Sequence, residues 1–89
     1  ELSQNYPNPF NPTTTLQYGI PKSSDVSLII FDMTGRRIKE WNFSSQDAGW
    51  HQVIWDGHNN QGHPLSSGLY VYCLKAGDFF ESKKMTFLK

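Results

Sequence analysis

The polar loop Asp56-Gly57-His58-Asn59-Asn60-Gln61-Gly62-His63-Pro64 holds the densest set of metal-ligating residue types in the chain. Asp56, His58, Asn60 and Gly62 alternate there, and carboxylate and amide oxygens at alternate positions can surround a hard cation such as calcium. The set is thin for that task. It has one carboxylate, its glycine falls one place late for an EF-hand loop, and no glutamate closes it. Asp56 and Asn60 are the candidate metal ligands, with a turn built from side-chain caps as the competing use of the same residues. His58 and His63 with Asp56 could in principle hold zinc, but their spacing matches no dedicated ligand set. Ser66 and Ser67 lie near Asp56 and His63, yet no Gly-x-Ser-x-Gly elbow positions either as a nucleophile. The chain is therefore expected to be no enzyme and to carry no cofactor, calcium being the one ion worth testing. Trp41, Trp50 and Trp55 raise carbohydrate stacking, which needs a planar row of exposed rings; Trp55 is expected in the core instead. His51 shares a strand face with Val53 and Trp55, which predicts a buried, hydrogen-bonded side chain. Cys73 is the only cysteine, so an internal disulfide and a cysteine-based zinc site are excluded by count.

The elements that carry these residues belong to one small domain. Eighty-nine residues bury roughly 60–65% of their unfolded surface and leave no room for a second core. Aromatics make up 15% of the chain and charged residues 18%, a profile of a packed β protein and not of a disordered segment. Eight basic residues balance eight acidic ones, so no overall field favours nucleic acid or an anionic membrane. No run approaches the roughly 20 apolar residues that would cross a bilayer, and no signal peptide heads the chain. The opening at Glu1-Leu2-Ser3 reads as the middle of a longer protein.

Short β-forming runs recur between turn signals. They are Thr13 to Tyr18, Val26 to Asp32, Arg36 to Phe43, Trp50 to Trp55, Leu69 to Lys75 and Phe79 to Lys89. Val26, Leu28 and Ile30 alternate with Ile29 and Phe31, as in a central strand covered on both faces. The uneven spacing of Ile38, Trp41 and Phe43 predicts a bulge or bend. No helical periodicity appears, and the pattern predicts an antiparallel β-sandwich of about seven strands. The expected core is Leu16, Tyr18, Val26, Leu28, Ile30, Ile38, Val53, Trp55, Tyr70, Tyr72, Leu74, Met85 and Phe87. Ahead of it, residues 1–12 are rich in proline and asparagine, a stiff segment that excludes helix and is expected to pack Tyr6 and Phe10 against one end.

The motifs NYPNPFNPTT, VSLIIFDMTGRRI, GWHQVIWDGHNNQG, LSSGLYVYCLKAG and the terminal SKKMTFLK, in this order and spacing, resemble the C-terminal sorting domain of type IX secretion. That family is found on cargo proteins of Bacteroidetes and related Gram-negative bacteria. The resemblance runs from Asn5 to Lys89 and implies an immunoglobulin-like sandwich that catalyses nothing. It implies export of an N-terminal cargo to the cell surface or medium, with the outer-membrane translocon and a sortase-like peptidase as partners. By family position Tyr70, Tyr72 and Leu74 face the core and Cys73 faces outward. Cys73 stands where the family often has a basic residue, and Phe31 where tyrosine is frequent. The WDG and SGxYxY signatures are also those of a flagellar hook-capping-type immunoglobulin-like domain, which is the second family reading; a carbohydrate-binding accessory module is the third.

Under the sorting reading, the terminal strand supplies the recognition surface. Met85 and Phe87 anchor it, Lys84, Thr86 and Leu88 point outward, and its unpaired edge accepts a partner strand. Lys83, Lys84, Thr86, Leu88 and Lys89 are the candidate recognition residues, although lysines on a last strand also serve solubility. A monomer is expected, without nucleic acid and without membrane insertion.

Overall fold

The computed structural model describes residues 1–89, which form six strands: β1 (Thr14–Ile20), β2 (Ser24–Asp32), β3 (Arg37–Gln46), β4 (Gly49–Trp55), β5 (Gly68–Ala76) and β6 (Phe79–Phe87). β1 and β4 pair as one antiparallel sheet; β3-β2-β5-β6 form the other, also antiparallel throughout. The fold is an all-β, immunoglobulin-like sandwich. β2 and β5, the two most cleanly alternating runs, occupy the centre of the large sheet, where both edges of each strand are paired. The β2–β3 ladder shifts register between Ser24 and Val26 and again between Ile30 and Phe31, which is the irregularity expected from the spacing in β3.

Period-2 alternation puts Leu16, Tyr18 and Ile20 of β1 opposite Val26, Leu28 and Ile30 of β2 and Tyr70, Tyr72 and Leu74 of β5, all buried. Trp55 fills the centre of one end, in contact with Phe10, Tyr70 and Phe87 at ring-centroid distances of 5.4, 5.5 and 6.3 Å. Its indole N–H donates to the His58 carbonyl at 2.9 Å, so the interior ring also fixes the loop after β4.

Three expectations are corrected. Gly19-Ile20 does not end β1: Ile20 is buried and pairs with Gly49, and the ladder continues to that point. Val53 is half-buried, because it faces the seam where β4 meets no further strand. Tyr6 is 80% exposed and packs on nothing interior, whereas its neighbour Asn5 is buried. In the opening segment the inward positions fall to Leu2, Asn5 and Phe10, and Tyr6 bridges Thr15 with its ring turned to solvent.

That segment does more than close one end. On one side it runs antiparallel to β1, through Ser3 N–H to Gln17 O at 3.0 Å, Tyr6 N–H to Thr15 O at 3.1 Å and Thr15 N–H to Tyr6 O at 2.9 Å. On the other side it runs parallel to β6, through Phe10 N–H to Thr86 O at 3.0 Å and Leu88 N–H to Phe10 O at 3.1 Å. Residues 1–10 are thus an irregular strand lying between the two sheets and hydrogen-bonded to both. Local side chains satisfy the groups that the prolines leave free. Asn5 Nδ2 donates to Thr14 Oγ1 at 3.0 Å and to the Pro7 carbonyl at 3.1 Å, and the Thr14 hydroxyl donates to the same carbonyl at 2.8 Å.

Candidate recognition surface

β6 is held to β5 along its whole length, from Phe79 opposite Ala76 to Phe87 opposite Gly68. Met85 and Phe87 are buried, and Phe87 stacks on Phe10 with centroids 4.7 Å apart. Lys84 is exposed, Thr86 is half-buried and Leu88 is 52% exposed, all on the outward side of the strand. Lys83 falls on the opposite side, where its Nζ lies 3.6 Å from Glu81 Oε2. Lys89 donates its backbone N–H to Ser67 Oγ at 2.8 Å. The five candidate residues therefore occupy one stretch of chain but two sides of it.

The edge of this stretch is not open, contrary to expectation. The Lys84 carbonyl accepts from Gln4 Nε2 at 2.8 Å, and Thr86 N–H donates to Asn8 Oδ1 at 2.9 Å. The Thr86 carbonyl and the Leu88 N–H are bonded to Phe10, as described above. The opening segment already occupies the site at which a strand would add, so any partner of β6 must read side chains there. Nothing in the sequence marks this closure except Gln4 and Asn8, whose amides reach backbone atoms 80 and 78 residues away.

The loop after β4 is built from turns. Asp56 Oδ1 accepts from His58 N–H at 3.1 Å and lies 3.2 Å from His58 Nδ1. Asn59 Oδ1 accepts from the backbones of Gln61 and His63, both at 3.0 Å. Asn60 turns away to β3, accepting from Glu40 N–H at 3.2 Å and donating its own N–H to the Ile38 carbonyl at 3.0 Å. The oxygens of Asp56 and Asn60 converge on no common point, and no group of three potential ligands surrounds one. The loop follows the Asx-turn alternative at Asp56 and Asn59, and of the two candidate metal ligands Asp56 caps a turn while Asn60 ties the loop to β3.

The other constellations resolve in the same way. The Ser66 carbonyl accepts from Tyr70 OH at 2.6 Å, and the Ser67 hydroxyl holds the chain end. His51 is half-buried, tilted on Tyr18 at 5.7 Å with Nε2 2.6 Å from the Asp47 carbonyl oxygen. The three tryptophans share no face: Trp55 is interior, Trp41 lines the half-buried seam with Lys39 Nζ 5.4 Å from its ring centroid, and Trp50 lies on the outside of the small sheet. A planar sugar-stacking row is thereby ruled out. Cys73 is half-buried on the outer face of β5, between Ile29 and Ser82, and burial pushes its thiol pKa up, away from the reactive thiolate.

The side chains sequence reading missed are those of the opening segment's latch. Tyr72, fully buried, donates its hydroxyl to the Ser3 carbonyl at 2.7 Å and accepts from Asn5 N–H at 2.8 Å. Burial pushes its pKa up to about 12, with the Glu81 charge adding and the Asn5 hydrogen bond opposing. Leu2 N–H donates to Glu81 Oε1 at 3.1 Å beside it.

With this geometry the family can be stated. The family model of the FlgD Ig-like domain matches residues 9–78, and the chain belongs to that family. Among solved structures it is similar to FlgD of P. aeruginosa, at 23% identity and TM-score 0.65, covering 83% of this chain and 58% of that one. FlgD of Xanthomonas campestris, described with hook capping in flagellar assembly, matches at 19% identity and TM-score 0.68 over 96% and 62%. Two Porphyromonas gingivalis proteins match as well: PorZ, a surface component of the type IX secretion system, at 21% identity and TM-score 0.70, and dimeric latent PorU at 21% and 0.72. They cover 97% and 98% of this chain but only 11% and 9% of their own lengths. No curated protein matches the sequence. The family is thus the one to which the second sequence-based reading pointed, and PorZ and PorU share its fold.

Proposed function

We propose that the chain is a non-catalytic immunoglobulin-like module of a longer protein, and that it acts as an address for type IX export of that protein. The observation that carries the reading is the welding of the opening segment to β6. The family match stops at residue 78, and beyond it the chain still follows PorZ and PorU, over 97% and 98% of its length, as it follows FlgD of Xanthomonas campestris over 96%. The Asn-Pro opening and the terminal strand are the first and last of the five motifs through which the sequence resembles sorting domains, and they meet in one seam. Under this proposal Lys84, Thr86 and Leu88 are read by the translocon as a side-chain pattern on a fixed strand, with Lys83 and Lys89 at its margins.

Fusing residues 1–89 behind a signal-bearing reporter in a type IX-competent host tests it. Export supports the reading; a folded fusion retained in the periplasm overturns it. The second reading, a structural domain of hook-capping type, is favoured by the family itself and by both FlgD structures. Restoration of hook assembly by a FlgD chimera carrying this domain, with no export of the reporter, would decide for it.

A further inference from the structure

The sandwich has four sheet edges, and three of them are blunted. The opening segment covers β1 and the functional half of β6. β3 carries Arg37, Lys39 and Glu40, is bonded by Asn60, and bends at Ser45, whose φ is 51°. β4 has none of these protections: GWHQVIW contains no charge and no proline. The hydrogen-bond parity of β1 shows which atoms β4 leaves open. Thr15, Gln17 and Gly19 direct their backbone groups to the opening segment, so Thr14, Leu16, Tyr18 and Ile20 direct theirs to β4. On β4 it follows that Trp55, Val53, His51 and Gly49 are paired, while the N–H and C=O groups of Trp50, Gln52 and Ile54 face outward. No hydrogen bond of the chain satisfies them.

We infer that the β4 edge is a self-association site, at which a second copy of this chain adds antiparallel to make a continuous four-stranded sheet. The strand is self-complementary about Gln52. A two-fold axis there sets Gln52 opposite Gln52, and Trp50 opposite Ile54 of the second copy on both sides. All three pairs are of the type that exchanges both backbone bonds, so six hydrogen bonds form from groups now open to water. The side chains agree with the backbone. Trp50 and Ile54 are 57% and 63% exposed, and pairing them gives two aromatic–β-branched contacts across the junction. No charge on either strand opposes the pairing. A seven-residue strand buries little area, so the dimer is weak, half-formed on the order of 0.1 mM. This inference is independent of the sorting proposal.

Sedimentation equilibrium over a concentration series, with amide exchange read by NMR, tests it. The chain should pass from monomer to dimer, and the amides of Trp50, Gln52 and Ile54 should gain protection as concentration rises. Gln52→Lys places like charges directly opposite and should weaken association roughly fivefold or more, as should Gln52→Glu. An equimolar mixture of the two should restore it. Ser82→Lys, exposed on β6 of the large sheet and away from this edge, should leave it unchanged, and melting curves confirm that all variants fold. A chain that stays monomeric to about 1 mM, a Gln52→Lys variant that still self-associates, or a mixture that fails to rescue would each overturn the proposal.

Discussion

Tyr72 is the residue on which most other parts depend. Replacing it by Phe keeps the ring but leaves the Asn5 N–H and the Ser3 carbonyl without a partner in a buried place, which costs about 1–3 kcal/mol. The urea midpoint should fall accordingly; an unchanged midpoint would mean that water replaces the hydroxyl. The same group sets an alkaline limit. Its folded pKa, about 12, lies above the ordinary 10.0, so its contribution is whole below pH 10 and is lost as pH rises towards 12. Asp32 acts at the other limit. The Thr34 hydroxyl, then the Arg36 backbone N–H, hold its carboxyl below the ordinary 3.8, so its contribution is whole above that value and disappears as pH falls through the folded pKa. Asp32→Asn should lose less stability than the parent on acidification below pH 4, measured by thermal melts at several pH values. Gly57 has φ 76°, and a Cβ there would stand 2.7 Å from Phe87 Cζ. Gly57→Ala should therefore cost roughly 2 kcal/mol or more, read as a melting point lowered by about 10 °C. At this scale the sequence misleads about Tyr6 and not about Phe10. Residue type argues for burying both, but the inward positions of a proline-interrupted segment follow no simple period, and Asn5 takes the place that an aromatic was expected to fill.

Among the elements, β2 and β5 are readable from sequence because strict alternation has one physical solution when one face must be dry. The edges are not readable in this way. β3 and β4 are separated by Asp47 and Ala48 alone, a spacing that suggests a hairpin, yet they belong to different sheets. Sheet membership depends on long-range pairing, which side-chain pattern does not encode. The opening segment is the extreme case, since it bonds both to β1, close in sequence, and to β6, where its partners Lys84 and Thr86 lie 80 and 78 positions from Gln4 and Asn8. Removing residues 1–12 should uncover the edges of β1 and β6 and the apolar surface under Leu2 and Phe10. Each of those side chains contributes roughly 1.5–3 kcal/mol by burial, a large share of a domain's total stability of about 5–15 kcal/mol. The truncated chain should unfold at much lower urea and scatter light at concentrations where the parent stays clear. A truncated chain with the parent's midpoint and clarity would show that the segment is dispensable.

For the molecule as a whole, balanced charge and an open, uncharged β4 edge act together. With formal net charge zero and a calculated pI of 7.1, long-range repulsion between copies is weakest near neutral pH. Solubility should pass through a minimum there and rise on either side as net charge builds up; a flat profile between pH 5 and 9 would contradict this. The absence of helical local contacts and the pairing of both chain ends in one seam also make folding depend on distant segments meeting, which slows it relative to helical domains of this size.

The two ends of the chain lie side by side and run in the same direction, residues 1–10 along β6. A pull applied between Glu1 and Lys89 therefore slides one terminal strand lengthwise past the other instead of peeling it away. In that shear geometry the bonds from Gln4, Asn8 and Phe10 to β6 bear tension simultaneously, so resistance is shared across the seam until it fails at once. The module is consequently built to hold a load that arrives through its own termini.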